Sequence, residues 1–192
     1  MRQIDVTTWY LEQCDRGELR PAAAPVPEVP IVRAEIPCPE LSRFLYVAVG
    51  GDHHWSDRLG WTREEWANWL DRPGVETWIA HDRGTPAGYI EFDPQPEGVV
   101  EIVCFGLLPG FIGKGIGGHL LSVGMARAWD LAGRWPGREP TRRIWLHTCS
   151  LDGPAALANY QKRGFRLYDT AVHTESIGLT PPGAWPASAR RS

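Results

Sequence analysis

Short apolar blocks run along most of the chain, and their period changes from two to about four and back as Gly and Pro interrupt them. Ile4 to Leu11 (IDVTTWYL) has the β-branched and aromatic content of a strand. Gly17 to Pro30, rich in Pro and Ala, reads as an extended loop, and the weak alternation from Val29 to Ile36 predicts a second strand. Pro37 and Pro39 open a helix from Glu40 to Val49, with Leu41, Phe44, Leu45 and Val49 on one face, and Gly50 and Gly51 end it. The loop from Asp52 to Gly60 (DHHWSDRLG) mixes polar and aromatic residues. Thr62, followed three residues on by Glu65, makes a capping box for a helix that carries Trp66, Trp69 and Leu70 and stops before Pro73.

The second half alternates strands and helices. Val75 to His81 and Pro86 to Phe92 form a hairpin through Asp82-Arg83-Gly84-Thr85. Val99 to Leu108 is a third, apolar strand with one acid, Glu101, near its start. Gly113, Gly115, Gly117 and Gly118 then crowd together, and a helix from about Gly117 to Ala132 follows, with Leu120, Leu121, Gly124, Ala128 and Leu131 at helical spacing. After the loop Gly133 to Thr141, Arg143 to Cys149 reads as a buried strand and Ala155 to Arg163 as a short helix capped by Asp152 and Gly153. Gly164 ends that helix, Phe165 to Leu179 predicts a final strand pair, and Pro181 to Ser192 has no pattern and reads as a mobile tail. Strand-helix-strand in the middle implies a parallel pair, and the hairpin before it implies antiparallel pairing. The expected fold is α/β (α+β): a mixed, twisted, mostly antiparallel sheet with a central parallel pair and helices on both faces.

Composition narrows the function classes. The chain has 192 residues, 43% of them hydrophobic, which suits one domain with its own core. A net charge of −3 argues against a nucleic-acid surface. Cys14, Cys38, Cys104 and Cys149 lie far apart with no CxxC pair, as expected of reduced thiols in a cytoplasmic protein. No apolar run approaches the ~20 residues of a membrane span, and no signal peptide is evident. Ten Trp is a high count; Trp61, Trp66 and Trp69 fit a core better than a pocket.

The glycine turn carries the chemistry. Strand, glycine-rich turn and helix N-terminus together make a phosphate cradle, because backbone N–H groups can approach an anion there and the helix dipole favours it. GKGIGG (Gly113 to Gly118) formally matches GxGxxG. A dinucleotide site also wants an acid at the end of the next strand, and that strand ends His147-Thr148-Cys149. A Walker loop fails as well, since Gly115 rather than Ser or Thr follows Lys114.

PGFIGKGIGGHLL instead resembles the acetyl-CoA-binding motif of the Gcn5-related N-acetyltransferases (GNAT), (Gln/Arg)-x-x-Gly-x-(Gly/Ala) at the start of a long helix. Gly115 and Gly117 fill the two small positions, while Ile112 stands where the family has Gln or Arg. Downstream, AALANYQKRGF resembles the family's later helix through Tyr160, Gly164 and Phe165. The resemblance covers residues 75 to 180 and implies a single acetyltransferase domain over 1–180. Residues 1–74 would supply an N-terminal arm and acceptor-site helices, and 75–180 the cofactor-binding and catalytic part.

Acetyl transfer by direct attack needs a deprotonated amine, a polarised thioester carbonyl and a proton for the leaving thiolate. Glu101 is the first candidate for the base, because EIVCF resembles the catalytic-Glu strand of the histone-type members and partial burial would raise its pKa toward neutrality. Glu91 is the reserve. Tyr160, protonated at neutral pH, is the candidate acid. The N–H of Leu107 or Leu108 suits the oxyanion if the strand splays at Gly106. The backbone of Ile112, Gly113, Lys114, Gly115, Ile116, Gly117 and Gly118 would hold the pyrophosphate, Lys114 standing in for the missing Gln or Arg, and Asn159 would touch the cofactor or solvent. Asp52, His53, His54 and Trp55 line an acceptor pocket or form a solvated loop; their spacing does not suggest a metal site. His147 and Cys149 share a strand face without a third group to make a nucleophile pair. The acceptor would be a small-molecule or peptide amine, with no nucleic acid or membrane partner; a homodimer is open. The alternative reading is a non-catalytic acyl-CoA-binding or regulatory domain, motivated by Ile112, and a remoter one is a nucleotide-dependent oxidoreductase.

Overall fold

A computed structural model describes residues 1–178. Seven strands form one sheet in the order β2-β3-β4-β5-β6-β1-β7. They are β1 (Arg2–Gln13), β2 (Ile31–Arg33), β3 (Glu76–Asp82), β4 (Thr85–Pro94), β5 (Val99–Leu107), β6 (Arg143–Cys149) and β7 (Arg166–Ile177). Every neighbouring pair is antiparallel except β5 and β6, which are parallel. The helices are α1 (Pro39–Gly50), α2 (Arg63–Leu70), α3 (Ile116–Trp129), α4 (Leu131–Arg134) and α5 (Ala156–Lys162).

The two sheet faces carry separate cores. On one, Ile90, Phe92, Val100, Ile102, Ile144 and Leu146 pack against Leu120, Leu121 and Met125 of α3 and Tyr160 of α5. On the other, Ile79, Tyr89 and Cys104 pack against Leu45, Tyr46 and Val49 of α1 and Trp66 of α2. Strand alternation therefore sends Glu101, between Val100 and Ile102, to the α1/α2 face. A bulge in β5 opposite Glu91 and Phe92 makes Val103 the extra residue, which keeps Cys104 on that face too.

The capping box of α2 forms as expected: the Thr62 side chain accepts from Glu65 N–H and the Glu65 side chain reaches back to Thr62 N–H. Three boundaries differ from the expectation. The weakly alternating stretch before α1 gives only a three-residue strand, β2, at the sheet edge. The long helix breaks at Asp130 into α3 and the short α4. Of the stretch Phe165 to Leu179, the residues described, up to 178, hold one strand, not two. β7 stays extended for twelve residues because β1, also twelve residues long, pairs with it along its length, with one slip in register between Tyr10 and Leu11. The stretch Pro181 to Ser192, read as a tail, lies outside the described residues. No helix among the described residues is long and apolar enough to cross a membrane.

Candidate active site

The parallel pairing of β5 and β6 runs only from Val99↔Arg143 through Val100↔Ile144 to Glu101↔Trp145. Both strands continue, β5 to Leu107 and β6 to Cys149, without pairing to each other again. The strands thus part at Glu101, earlier than the Gly106 that the sequence pointed to. The edges facing the gap carry N–H and C=O groups with no ladder partner, which is where a ligand with its own amides or carbonyl can bond.

Glu101 sits at the apex of this gap. Its side chain is 14% exposed, Gln95 Nε2 donates to its Oε2 at 2.9 Å, and His147 Nδ1 lies 3.9 Å from its Oε1. Burial, reinforced by the Asp93 carboxylate, pushes its pKa up to about 7, while Arg58 and the Gln95 hydrogen bond pull the other way. His147, which the sequence offers only as a face-mate of Cys149, is placed by the fold beside Glu101. It stands beside Glu101 only because two strands far apart in sequence align, and nothing local reports that register.

Glu91, the reserve candidate, shares the face but is fully engaged there. It is 1% exposed and accepts from Arg58 Nη1 at 2.7 Å, Trp69 Nε1 at 2.9 Å and Thr77 Oγ1 at 3.2 Å. With both oxygens engaged it anchors α2 and the α1–α2 loop to the sheet. The Arg58 guanidinium lies 4.3 Å from the Trp69 ring and 4.8 Å from the Trp61 ring, so these Trp residues enclose an ion pair. Trp66 is core.

Tyr160 approaches the gap from the opposite face. It is 6% exposed, with its ring 5.7 Å from Phe105 of β5 and 6.1 Å from Phe165, both edge-on. Burial, with Asp152 and Cys104 adding to it, holds the phenol well above its ordinary range, so it stays protonated. No hydrogen bond within the described residues uses that phenol. Asp152 does not cap α5, whose N-cap is Ala155 with no side-chain bond. It accepts instead from Thr148 Oγ1 at 2.5 Å, Cys149 N–H at 3.0 Å and Trp55 Nε1 at 3.4 Å, tying the loop after α1 to the end of β6. His53 of that loop lies close to Gly153.

The glycine turn runs from β5 into α3 beside the gap. Gly113 and Gly115 have φ of +84° and +77°, and Gly115 is the N-cap of α3 with no side chain closing it. The first-turn N–H groups of α3 are left for a ligand. Gly117 packs on Leu107 of β5, and Gly118 lies under Asn159 and the Arg163 Nη1. Arg163 Nε is buried without a partner among the described residues. Ile112 is 59% exposed, and Lys114 Nζ lies 4.9 Å from the Phe111 ring. Of the two N–H groups expected to serve an oxyanion, one is engaged within the sheet. The Leu108 N–H donates to Ala87 C=O at 2.9 Å and is not free for an oxyanion. Because successive N–H groups point to opposite edges, that of Leu107 turns toward the gap.

The glycine turn at the N-terminus of α3 and Tyr160 on the helix after β6 both stand where the resemblance expects them, beside the parted strands, and the comparison with protein families agrees. The model of the Acetyltransferase (GNAT) family matches residues 39–165. The chain belongs to this family. Among solved structures, the GCN5-related N-acetyltransferase from Kribbella flavida superposes with a TM-score of 0.61 at 18% identity, over 92% of this chain and 60% of that one. The GCN5-related N-acetyltransferase from Sphaerobacter thermophilus gives 0.56 at 17%, over 93% and 55%. A GNAT-family acetyltransferase from Streptococcus pneumoniae gives 0.55 at 19%, over 79% of this chain and 100% of that one. At these identities the likeness is one of fold. This GNAT chain spans less than two thirds of the length of the first two structures. No curated protein matches it.

Proposed function

We propose that this GNAT domain transfers an acetyl group from acetyl-CoA to a primary amine by direct attack. The observation that carries the reading is the end of β5–β6 pairing at Glu101, with Glu101 on one face of the gap and Tyr160 on the other. A thioester threaded through the gap meets an amine on the α1/α2 side and leaves its sulfur on the α3/α5 side. Glu101 takes the amine proton, the Leu107 N–H bonds the carbonyl oxygen as it gains charge, and Tyr160 protonates the thiolate. The turn from Gly113 to Gly118 holds the pyrophosphate through backbone N–H groups, and Lys114 and Arg163 are the nearby cations that offset the uncharged Ile112. The acceptor is a small-molecule or peptide amine, bound between the loop Asp52 to Trp55 and the β6–β1 surface.

Calorimetry with acetyl-CoA and an amine-panel assay for free CoA test this. Binding in the micromolar range and CoA release with at least one amine are expected. No binding removes the reading. Binding with no release across the panel favours the non-catalytic acyl-CoA-binding domain.

A further inference from the structure

A base that takes a proton in every cycle must also lose it, and the Glu101 carboxylate is held unevenly in a way that bears on this. Gln95, in the turn between β4 and β5, donates to Oε2 at 2.9 Å, and its own Oε1 accepts from Trp145 Nε1 at 3.2 Å. An indole N–H can only donate, so it fixes which end of the Gln95 amide faces Glu101. Trp145 is also the strand partner of Glu101 in the last rung before the gap. Trp145, Gln95 and Glu101 therefore form a closed chain over the apex, with Oε2 spoken for.

Oε1 faces the other way. His147, two residues beyond Trp145 on the same side of β6, puts Nδ1 3.9 Å from it, and the His147 side chain is 50% exposed. The imidazole is flanked by the Tyr10 ring of β1 at 6.1 Å and by Trp145 at 6.3 Å. The remaining charged groups around the carboxylate are Asp93 on β4, paired with Arg72, and Arg58, paired with Glu91. Both are already matched with partners of opposite charge. His147 is the titratable group that connects Glu101 to solvent.

We propose that His147 is the outlet for the proton that Glu101 takes from the acceptor amine, with Gln95 as the positioning residue that leaves Oε1 as the exchanging oxygen. The ammonium N–H bond breaks as an O–H bond forms at Oε1. That O–H bond then breaks as Nδ1 of neutral His147 is protonated. The imidazolium gives up its Nε2 proton to water or buffer, and exchange of the half-exposed ring with solvent then moves the remaining proton from Nδ1 to Nε2, so that both the carboxylate and the accepting nitrogen are restored. One bridging water, or an approach of about 1 Å, completes the contact. The inference rests on the acetyl-transfer reading for its kinetics, but the Glu101–His147 contact can be measured without turnover.

The test compares the unaltered protein with His147→Gln and Gln95→Leu, using an amine that the panel shows to be acetylated. His147→Gln should lower kcat about tenfold or more with the KM for acetyl-CoA unchanged. Added imidazole should restore much of the loss and leave the unaltered protein unaffected. An undiminished kcat, or a loss that imidazole does not repair, overturns the relay. Gln95→Leu should move the acid limb of the kcat/KM profile to higher pH, because a bond that favours the carboxylate is gone; an unmoved limb removes Gln95 from the positioning role. Carbon-detected NMR of the Glu101 carboxyl supplies the readout without turnover. Its titration should show a second inflection that disappears in His147→Gln. Turnover without that inflection sinks the relay alone; no turnover of any amine by the unaltered protein sinks the acetyl-transfer reading and the relay with it.

Discussion

Glu91 and Glu101 lie on adjacent strands and face the same layer, yet their surroundings give them opposite character. Glu91 has three donors, one of them the Arg58 guanidinium, and both its oxygens are engaged. Glu101 has one amide donor and a neighbouring carboxylate, and its proton comes off near neutrality. Since a base works only when ionised, kcat/KM should rise with pH through about 7 and level off above it. Glu101→Gln should abolish that limb and lower kcat by about 10²- to 10⁴-fold. A rate profile from pH 5 to 9 on both proteins checks this. Tyr160→Phe should slow turnover while leaving acetyl-CoA affinity, read by calorimetry, nearly unchanged; an equal rate would remove the phenol from the reaction. The candidate acid and base could be read along the chain because each lies in a local pattern, one in EIVCF and one in the helix that ends at Gly-Phe. Gln95 and His147 could not, because their meaning comes from strand register.

The elements show the same division. Helices α1, α2, α3 and α5 and the β3–β4 hairpin are encoded by nearby signals: caps, prolines, glycines and apolar period. The length of the final strand is set by its pairing with β1, distant in sequence, so no local signal reports it. The parting of β5 from β6 comes at Glu101 and not at Gly106, because it depends on where two distant strands stop matching and not on a local glycine. Gly164 shows how a local signal can hide a distant constraint. Its φ of +97° suits the end of α5, but a Cβ there would also stand 2.0 Å from the Glu18 carbonyl oxygen. Gly164→Ala should therefore cost more than the ordinary left-handed penalty, above about 2 kcal/mol in all, measured as a lower midpoint in urea. Circular dichroism should show the helical content retained at low denaturant.

At the scale of the whole molecule, Glu76 joins the sheet edge to the helical layer. Its carboxylate is 1% exposed and accepts from Arg33 of β2, Arg134 of α4, and the indoles of Trp78 and Trp135. Burial would push its pKa up, but the Arg134, Trp78 and Trp135 donors outweigh burial and hold it below the ordinary carboxylate value. The unfolded chain then binds the proton more readily than the folded one. The contribution is present at neutral pH and is lost as pH falls below the unfolded value of about 4.3 and through the lower folded one. Glu76→Ala should destabilise the fold by about 3–5 kcal/mol at pH 7, because two guanidinium groups lose their shared partner, and by less in acid. Denaturant titrations at pH 7 and pH 4 check both signs. The placement of β1 has a consequence of another kind. It lies between β6 and β7, and its Thr7 N–H bonds Ser150 Oγ across 143 residues of sequence. On the ribosome β1 emerges long before either neighbour exists. Until β6 and β7 have been made, a twelve-residue segment waits with both edges open, the condition in which nascent chains trade strands or need a chaperone to cover them.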